Sequence, residues 1–296
     1  MNYRQFVTMT KEKVSSELPE PIQVYTHNAL KYNGYERIGL TISDERRNIS
    51  PSIYLEEFYQ HYQEGRTIEN IVENILEIYH SVDFDCFQKI SDIKDFSATQ
   101  SKIVFRLINC ELNESLLKSM PYIEYLDLAI VFYILFEINE NEMSHIPITN
   151  ELLRYWNTTK EDLYRIALGN AACLLPATLK PMQTLISELM GEPIKPDLFE
   201  QDPMYVLTNQ YRSFGASCIL YPEILEQIFG QFGENYYILP SSVHETIFIP
   251  ESQSPGREIL LDMVKEINDT QLEREEILSD NIYHYVERQL LIIDAF

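Results

Sequence analysis

The sequence has little glycine, with only 9 glycines among 296 residues, and this scarcity limits the phosphate-binding motifs that it can contain. Gly34 and Gly39 have the spacing of a phosphate-binding loop, but Leu40 stands where that loop needs its lysine. A GxGxxG dinucleotide motif and a GxSxG nucleophile motif are both absent. The sequence therefore does not support a nucleotide-binding loop or the serine nucleophile of an α/β-hydrolase.

Metal-ligand motifs are missing as well. The cysteines are widely spaced and include no CxxC pair: Cys86, Cys110, Cys173 and Cys218. This spacing argues against a structural zinc site and fits free thiols in a reducing cytoplasm. An HExxH motif is absent, and the two ExxH matches are unfavourable, since Glu77–His80 lies on the solvent face of a predicted helix and Glu142–His145 in a predicted loop. The sequence predicts neither a metal site nor a cofactor.

Basic residues are few. The chain has 23 Lys and Arg against 46 Asp and Glu, which gives a formal charge of −23 at pH 7. Nucleic-acid backbones and anionic membrane surfaces attract positive protein surfaces, so neither is a predicted partner. The same charge favours a basic protein partner. Nothing in the sequence indicates the oligomeric state.

Long hydrophobic runs are also absent. The longest uninterrupted apolar run extends from Leu128 to Phe136, which is much shorter than the roughly 20 residues of a membrane-spanning helix. The N-terminal sequence MNYRQFVTMTKEKVSSELPEP has no apolar segment of the kind found in secretory signals. Together with the free thiols, these features predict a cytoplasmic protein.

Helix and strand patterns occur in clusters along the chain rather than in strict alternation. Residues 22–42 predict a β-hairpin around Asn33-Gly34, a pair that favours type I′ turns. The apolar run 128–136 predicts a central strand that is buried on both faces. Clustered elements of both kinds predict an α+β fold with antiparallel or mixed sheet segments.

Two helices are predicted after the hairpin. Ser50 and Pro51 have the residue types of an N-cap and a first helical position, with an aromatic helix face that starts at Tyr54. Residues 67–82 carry apolar side chains at helical spacing along one face. Both helices belong to the N-terminal half of the chain.

The length fits two domains. The predicted N-terminal half, residues 1–148, contains the hairpin, the two helices and the long buried strand. The predicted C-terminal half, residues 149–296, has helices first and then a strand–helix–strand–turn–strand series. The best linker candidate is the proline-rich segment 191–203. The two halves are predicted to pack closely, either as two domains or as one compact unit.

One turn in the C-terminal half combines side chains that could carry chemistry. The sequence PSSVHE ends at Glu245 and joins two short apolar strands. Ser241, Ser242, His244 and Glu245 could together supply a nucleophile and a general base. Arg212 lies between two strand-like segments and could bind a carboxylate or a phosphate. The structural alternative is that the serines cap the turn and His244 bonds to backbone.

Two sequence blocks carry a resemblance to a known family. The first is NISPSIYLEEFYQHYQEG, residues 48–65, and the second is MYVLTNQYRSFGASCILYPEILEQIFGQFGENYYILPSSVHETIFIP, residues 204–250. Together they resemble an uncharacterised bacterial family whose domain has no known function, over roughly residues 20–290 of this chain. The resemblance implies a cytoplasmic bacterial protein. It implies no activity, cofactor or catalytic residue.

Two functions remain open from the sequence. The first is a non-catalytic binding or protein-interaction module, favoured by the missing catalytic motifs and by the tyrosine content, because tyrosine is enriched at interfaces. The alternative is an enzyme, for example a hydrolase, with a site around the PSSVHE turn and Arg212. The enzyme requires Arg212 and this turn to meet in a concave pocket. The interaction module instead requires an exposed apolar patch that contains tyrosine.

Overall fold

A computed structural model describes residues 1–44, 46, 50, 52–81, 93–138, 143–191 and 204–294. The chain divides into two compact units, Met1–Ile93 and Lys94–Phe296. The boundary expected at residues 148 and 149 stays a prediction. Cys86 and, apart from Gly191, the predicted linker lie outside the described residues.

In its described residues, the first unit contains three α-helices and a three-stranded antiparallel sheet. Its elements are α1 (Tyr3–Glu17), β1 (Gln23–Leu30), β2 (Glu36–Ser43), β3 (Ser52–Tyr54), α2 (Glu56–Gln63) and α3 (Ile68–Ser81). The strands pair in the order β1-β2-β3. Helix α3 buries its apolar face, as the sequence predicts, because residues three and four apart share one side of a helix.

Two local predictions for this unit have different outcomes. The hairpin β1–β2 is confirmed, and Asn33 and Gly34 both have positive φ angles. They lie in a five-residue loop, however, because the last paired residues are Leu30 and Glu36. The helix predicted to begin at Ser50 and Pro51 is wrong, since Tyr54 pairs with β2 in strand β3 and the helix begins at Glu56. Pairing with β2 overrides the local capping pattern.

The second unit contains seven helices and ten strands within the part of the chain that the structure describes. They are α4 (Phe96–Thr99), β4 (Ile103–Asn109), α5 (Glu114–Leu117), β5 (Tyr122–Tyr125), β6 (Leu128–Ile138), β7 (Met143–Pro147), α6 (Asn150–Trp156), α7 (Lys160–Leu174), β8 (Ala177–Pro181), α8 (Met182–Met190), β9 (Tyr205–Asn209), α9 (Ile224–Phe232), β10 (Tyr236–Leu239), β11 (Thr246–Pro250), α10 (Arg257–Thr270), β12 (Ile282–Val286) and β13 (Gln289–Ile293). A short 3-10 helix covers Gly215–Leu220.

Two antiparallel sheets organise the second unit over the ranges that the structure describes. Strand β6 pairs with β4, β5 and β7, and its residues from Leu128 to Leu135 are buried. This confirms the central strand predicted from the apolar run, and the three antiparallel sheets with surrounding helices confirm the α+β class. The second sheet has the order β13-β12-β10-β11-β9-β8. None of the helices in the described ranges is long and apolar enough to cross a membrane.

The β12–β13 hairpin contains a strained two-residue loop, and relieving this strain will stabilise the protein. Val286 pairs with Gln289, and the loop residues Glu287 and Arg288 have φ angles of 50° and 63°. Asn and Gly adopt this conformation more readily than Glu and Arg. We expect the double variant Glu287→Asn, Arg288→Gly to raise the free energy of unfolding by about 1 kcal/mol, measured by urea denaturation.

The control for this prediction is Glu287→Gln, Arg288→Gln, which removes both charges and leaves the backbone strain in place. It also removes the exposed contact between Arg288 Nε and Glu226 Oε2 at 3.6 Å, which contributes little to stability. Equal unfolding midpoints for the two double variants would contradict the strain argument.

Candidate functional site

Backbone contacts hold the PSSVHE turn against residues 276–279. Val243 N–H donates to the Glu276 carbonyl, and the Ser241 carbonyl accepts from Leu278 N–H, both at 2.9 Å. Both serines of the turn are buried. The Ser242 hydroxyl oxygen accepts the backbone N–H of His244 at 3.0 Å. Ser242 therefore has the capping role that the sequence analysis gave as the structural alternative.

The His244 ring contacts a backbone amide and a carboxylate. Its Nδ1 accepts the backbone N–H of Phe214 at 3.3 Å, and its Nε2 lies 3.5 Å from Glu276 Oε1. An accepting Nδ1 places the proton of the neutral ring on Nε2, facing Glu276. The ring also stacks on Phe214, with centroids 5.8 Å apart. Neither ring nitrogen is bonded to Ser241 or Ser242, so these described residues do not form a serine–histidine pair.

Burial lowers the pKa of His244 below its ordinary value of 6.5, and the Arg106 guanidinium lowers it further, while Glu276 opposes both effects. The unfolded chain therefore binds a proton more readily than the native state does. The contribution of neutral His244 to stability is therefore complete above the pKa that His244 has in the unfolded chain. It is lost as the pH falls below that pKa. We expect His244→Gln to lose less stability than wild type between about pH 7.5 and about pH 5.5.

Urea denaturation at several pH values measures this difference. Glutamine can still accept the Phe214 amide, so the variant is expected to remain folded. Burial also lowers the pKa of His284, with Glu251 opposing the shift. In the variant, the slope of the free energy of unfolding against pH will therefore decrease rather than vanish. A slope equal to that of wild type would show that His244 does not carry this linkage.

A buried cation, which no sequence motif revealed, also contacts the Phe214 ring. The Arg106 guanidinium is 4.2 Å from the Phe214 ring centroid and 5.6 Å from that of Tyr133. The His145 ring meets Phe214 edge-on at 5.2 Å. The available signal was a single arginine inside the apolar strand β4. Cation–π contact of this kind fixes the position of Phe214, and through it the loop that carries Arg212.

Asn209 holds the loop that follows strand β9. Its side-chain oxygen accepts the backbone N–H groups of Tyr211 and Ser213, and its Nδ2 donates to the Ser213 carbonyl at 2.7 Å. These bonds support positive φ angles at Arg212 and Phe214. The buried side-chain amide of Asn209 therefore fixes the backbone from which the Arg212 side chain extends.

Arg212 and Glu245 line one pocket. The cavity has a volume of about 260 Å³, and its apolar walls come from helix α8 and strands β9 and β11: Met182, Leu185, Ile186, Val206 and Ile247. Its polar lining consists of Thr208, Arg212 and Glu245. The structure thus brings together two of the five candidate residues. His244 and the two serines are not among the lining residues.

The two charged groups in this pocket differ in their pairing. Arg212 Nη2 donates to Glu188 Oε2 at 3.1 Å, and Lys180 Nζ donates to Glu188 Oε1 at 2.6 Å. Glu245 has no ion-pair partner among the described residues. Burial raises the pKa of Glu245, and Glu276 raises it further, whereas Arg212 lowers it. The pocket therefore contains a carboxyl group whose charge is only partly compensated.

Within the described ranges, no group of three or more His, Cys, Asp or Glu side chains is arranged to hold a metal ion. The free cysteines in these ranges are Cys110, Cys173 and Cys218. Burial raises the pKa of the Cys218 thiol to about 12, so it is a weak metal ligand and a weak nucleophile.

Comparison with known families gives one result. The model of a family of unknown function, DUF5688, matches residues 3–287. The chain therefore belongs to this family, which agrees with the resemblance seen in the sequence. No curated protein and no solved structure matches the chain.

Proposed function

We propose that this member of DUF5688 is a non-catalytic binding module, whose ligand places an apolar group in the pocket between helix α8 and strands β9 and β11. The observation that carries the proposal is the pocket itself, because five of its eight lining side chains are apolar. Small-molecule sites generally combine an apolar lining with a few placed polar groups. Arg212, Glu245 and Thr208 supply such groups here.

The carboxyl group of Glu245, which has no ion-pair partner in the described part of the chain, supports a binding role. Burial makes its ionised form less favourable in the native state, as the raised pKa indicates. A buried charge without a partner reduces stability, and residues that reduce stability are concentrated at functional sites. A ligand that pairs with Glu245 would offset this cost.

A protein partner could use the same pocket by inserting a single side chain. The formal charge of −23 favours a basic partner over an acidic one. Interface anchors are commonly side chains that fill a desolvated pocket. A protein-interaction module is therefore one form of the proposed function, and its anchor would combine an apolar stem with a positive group.

A hydrolase is the second candidate function. One observation favours it, because a carboxyl group with a raised pKa and a guanidinium line the same cleft. Such a carboxyl group can act as a general acid or base. The contacts of Ser242 and His244 do not support the serine-based version of this hypothesis, so Glu245 would have to carry the proton transfer.

Two assays test the binding module and the hydrolase. Saturation-transfer NMR with cyclohexanol as a neutral apolar probe is expected to detect binding to wild type and none to Ile186→Trp, which fills the pocket. Met190→Trp is the matched control, since Met190 lies on the same helix and is 68% exposed. Hydrolysis of p-nitrophenyl acetate is expected to be equal for wild type, His244→Gln and Glu245→Gln. Probe binding by Ile186→Trp would overturn the binding site, and loss of hydrolysis in Glu245→Gln would establish the enzyme.

A further inference from the structure

We propose that the pocket binds a zwitterion with an aliphatic side chain, such as a free apolar α-amino acid. In this assignment the carboxylate meets Arg212, the ammonium group meets Glu245, and the side chain contacts the apolar walls. The inference rests on the proposed function and specifies its ligand. It rests on one observation. Arg212 and Glu245 line the same small apolar pocket and do not form an ion pair with each other.

The Arg212 guanidinium can accept a second anion. Arginine has five N–H donors, and Glu188 takes the single contact at 3.1 Å. The other donors have no acceptor among the residues that the structure describes. Arg212 and Lys180 together place two positive groups on Glu188, which leaves one positive charge in excess in this trio. A ligand carboxylate would neutralise that excess through charge-assisted hydrogen bonds.

Glu245 can receive the ammonium group. Glu245 lines the pocket, and its carboxyl group makes no hydrogen bond or ion pair with the described residues. A cation beside it would stabilise the ionised form, which burial disfavours. The opposite charges at Arg212 and Glu245 then match the opposite charges of an α-amino acid.

The size of the pocket limits the ligand. Its volume of about 260 Å³ lies below the range of roughly 300–1,000 Å³ that is common for drug-sized ligands. Branched and straight aliphatic groups of Met182, Ile186 and Val206 form much of the wall. An aliphatic side chain such as that of leucine fits this lining better than a charged one, because an additional charge would have no partner there.

A simple amine is less favourable than a zwitterion. An amine would pair with Glu245 but would leave the excess positive charge of Lys180, Glu188 and Arg212 without an anion. A simple carboxylic acid would leave Glu245 unpaired, or would face it as a like charge. Only a ligand with both groups compensates both sides of the pocket.

Isothermal titration calorimetry with three related probes tests this inference. L-leucine carries both charged groups, isoamylamine lacks the carboxylate, and 4-methylpentanoate lacks the ammonium group. We expect L-leucine to bind wild type at least about tenfold more tightly than either of the other two, because each lacks one charge-assisted contact. Met190→Trp, which changes only an exposed residue of α8, is expected to keep the same preference.

Two variants assign the two ends of the ligand. Arg212→Gln is expected to bind L-leucine and isoamylamine equally, and Glu245→Gln is expected to bind L-leucine and 4-methylpentanoate equally. Urea denaturation of each variant shows whether the fold is retained, and rescue of the preference by Arg212→Lys would confirm the charge role.

The outcomes separate this inference from the proposed function. Equal binding of isoamylamine and L-leucine by wild type would overturn the zwitterion and point to a basic side chain of a protein partner. Binding of none of the three probes, with cyclohexanol still bound and still excluded by Ile186→Trp, would overturn the inference and leave the binding pocket in place. Loss of cyclohexanol binding as well would overturn both.

Discussion

Gly215→Ala will destabilise the second unit by about 3 kcal/mol or more, because the glycine lies in contact with three other groups. A Cβ atom at this position would lie 2.1 Å from Thr208 Oγ1, 2.4 Å from the His244 carbonyl oxygen and 2.7 Å from the Asn209 amide nitrogen. Two of these atoms belong to backbone and cannot rotate away. Thr208 Oγ1 donates to the same His244 carbonyl at 2.8 Å, so the clash also disturbs the wall of the pocket.

Gly230→Ala is the matched control for this substitution. Gly230 lies in helix α9, and a Cβ atom there would meet nothing within 4 Å. Alanine is the better helix former, so this variant should gain about 0.5–1 kcal/mol. Chemical denaturation measures both free energies. Similar stabilities for the two variants would show that the close approach at Gly215 does not constrain the fold.

Asp127→Ala is the second substitution with a large expected effect, about 3 kcal/mol of stability, because it removes the acceptor of three side-chain donors. The Asp127 carboxylate accepts the Ser279 hydroxyl, Asn281 Nδ2 at 3.0 Å and the Tyr283 hydroxyl at 2.6 Å. These bonds join the turn between β5 and β6 to strand β12 and to the residues just before it. Without the carboxylate, the buried hydroxyl of Tyr283 loses its acceptor.

Two controls separate the network from a general effect of charge. Asp262→Ala removes an exposed carboxylate on helix α10 and should change the free energy of unfolding by less than about 0.5 kcal/mol. Tyr283→Phe removes one of the three bonds and should cost about 1–2 kcal/mol. An Asp127→Ala variant no less stable than Asp262→Ala would contradict the structural role of this network.

Much of the fold was predictable where the sequence pattern is local or strongly apolar. The run from Leu128 to Phe136 identified the central strand β6, since a strand buried on both faces needs apolar residues without alternation. Helix α3 followed from its apolar spacing. The helix start at Ser50 was wrong because the capping pattern is local, whereas the pairing of Tyr54 with β2 is a long-range contact.

The site was predictable only in part. Arg212 and Glu245 were identified from residue type and from their position beside apolar strands, and both line the pocket. His244 was expected to act together with these two residues, but its ring contacts Phe214 and Glu276 instead. The direction of a side chain in a turn depends on backbone geometry that residue type alone does not give. Asn209 and Arg106 were missed, because their roles depend on contacts with loop residues.

Methyl NMR is the sharpest test of whether a ligand occupies the pocket between α8, β9 and β11. Methionine and isoleucine methyl groups would be labelled and followed while cyclohexanol and then L-leucine are added. If the pocket is the binding site, we expect the signals of Met182, Ile186 and Ile247 to shift, while that of Ile259, which is 51% exposed on α10, stays unchanged. Unchanged pocket signals, or shifts centred on Ile259, would contradict it.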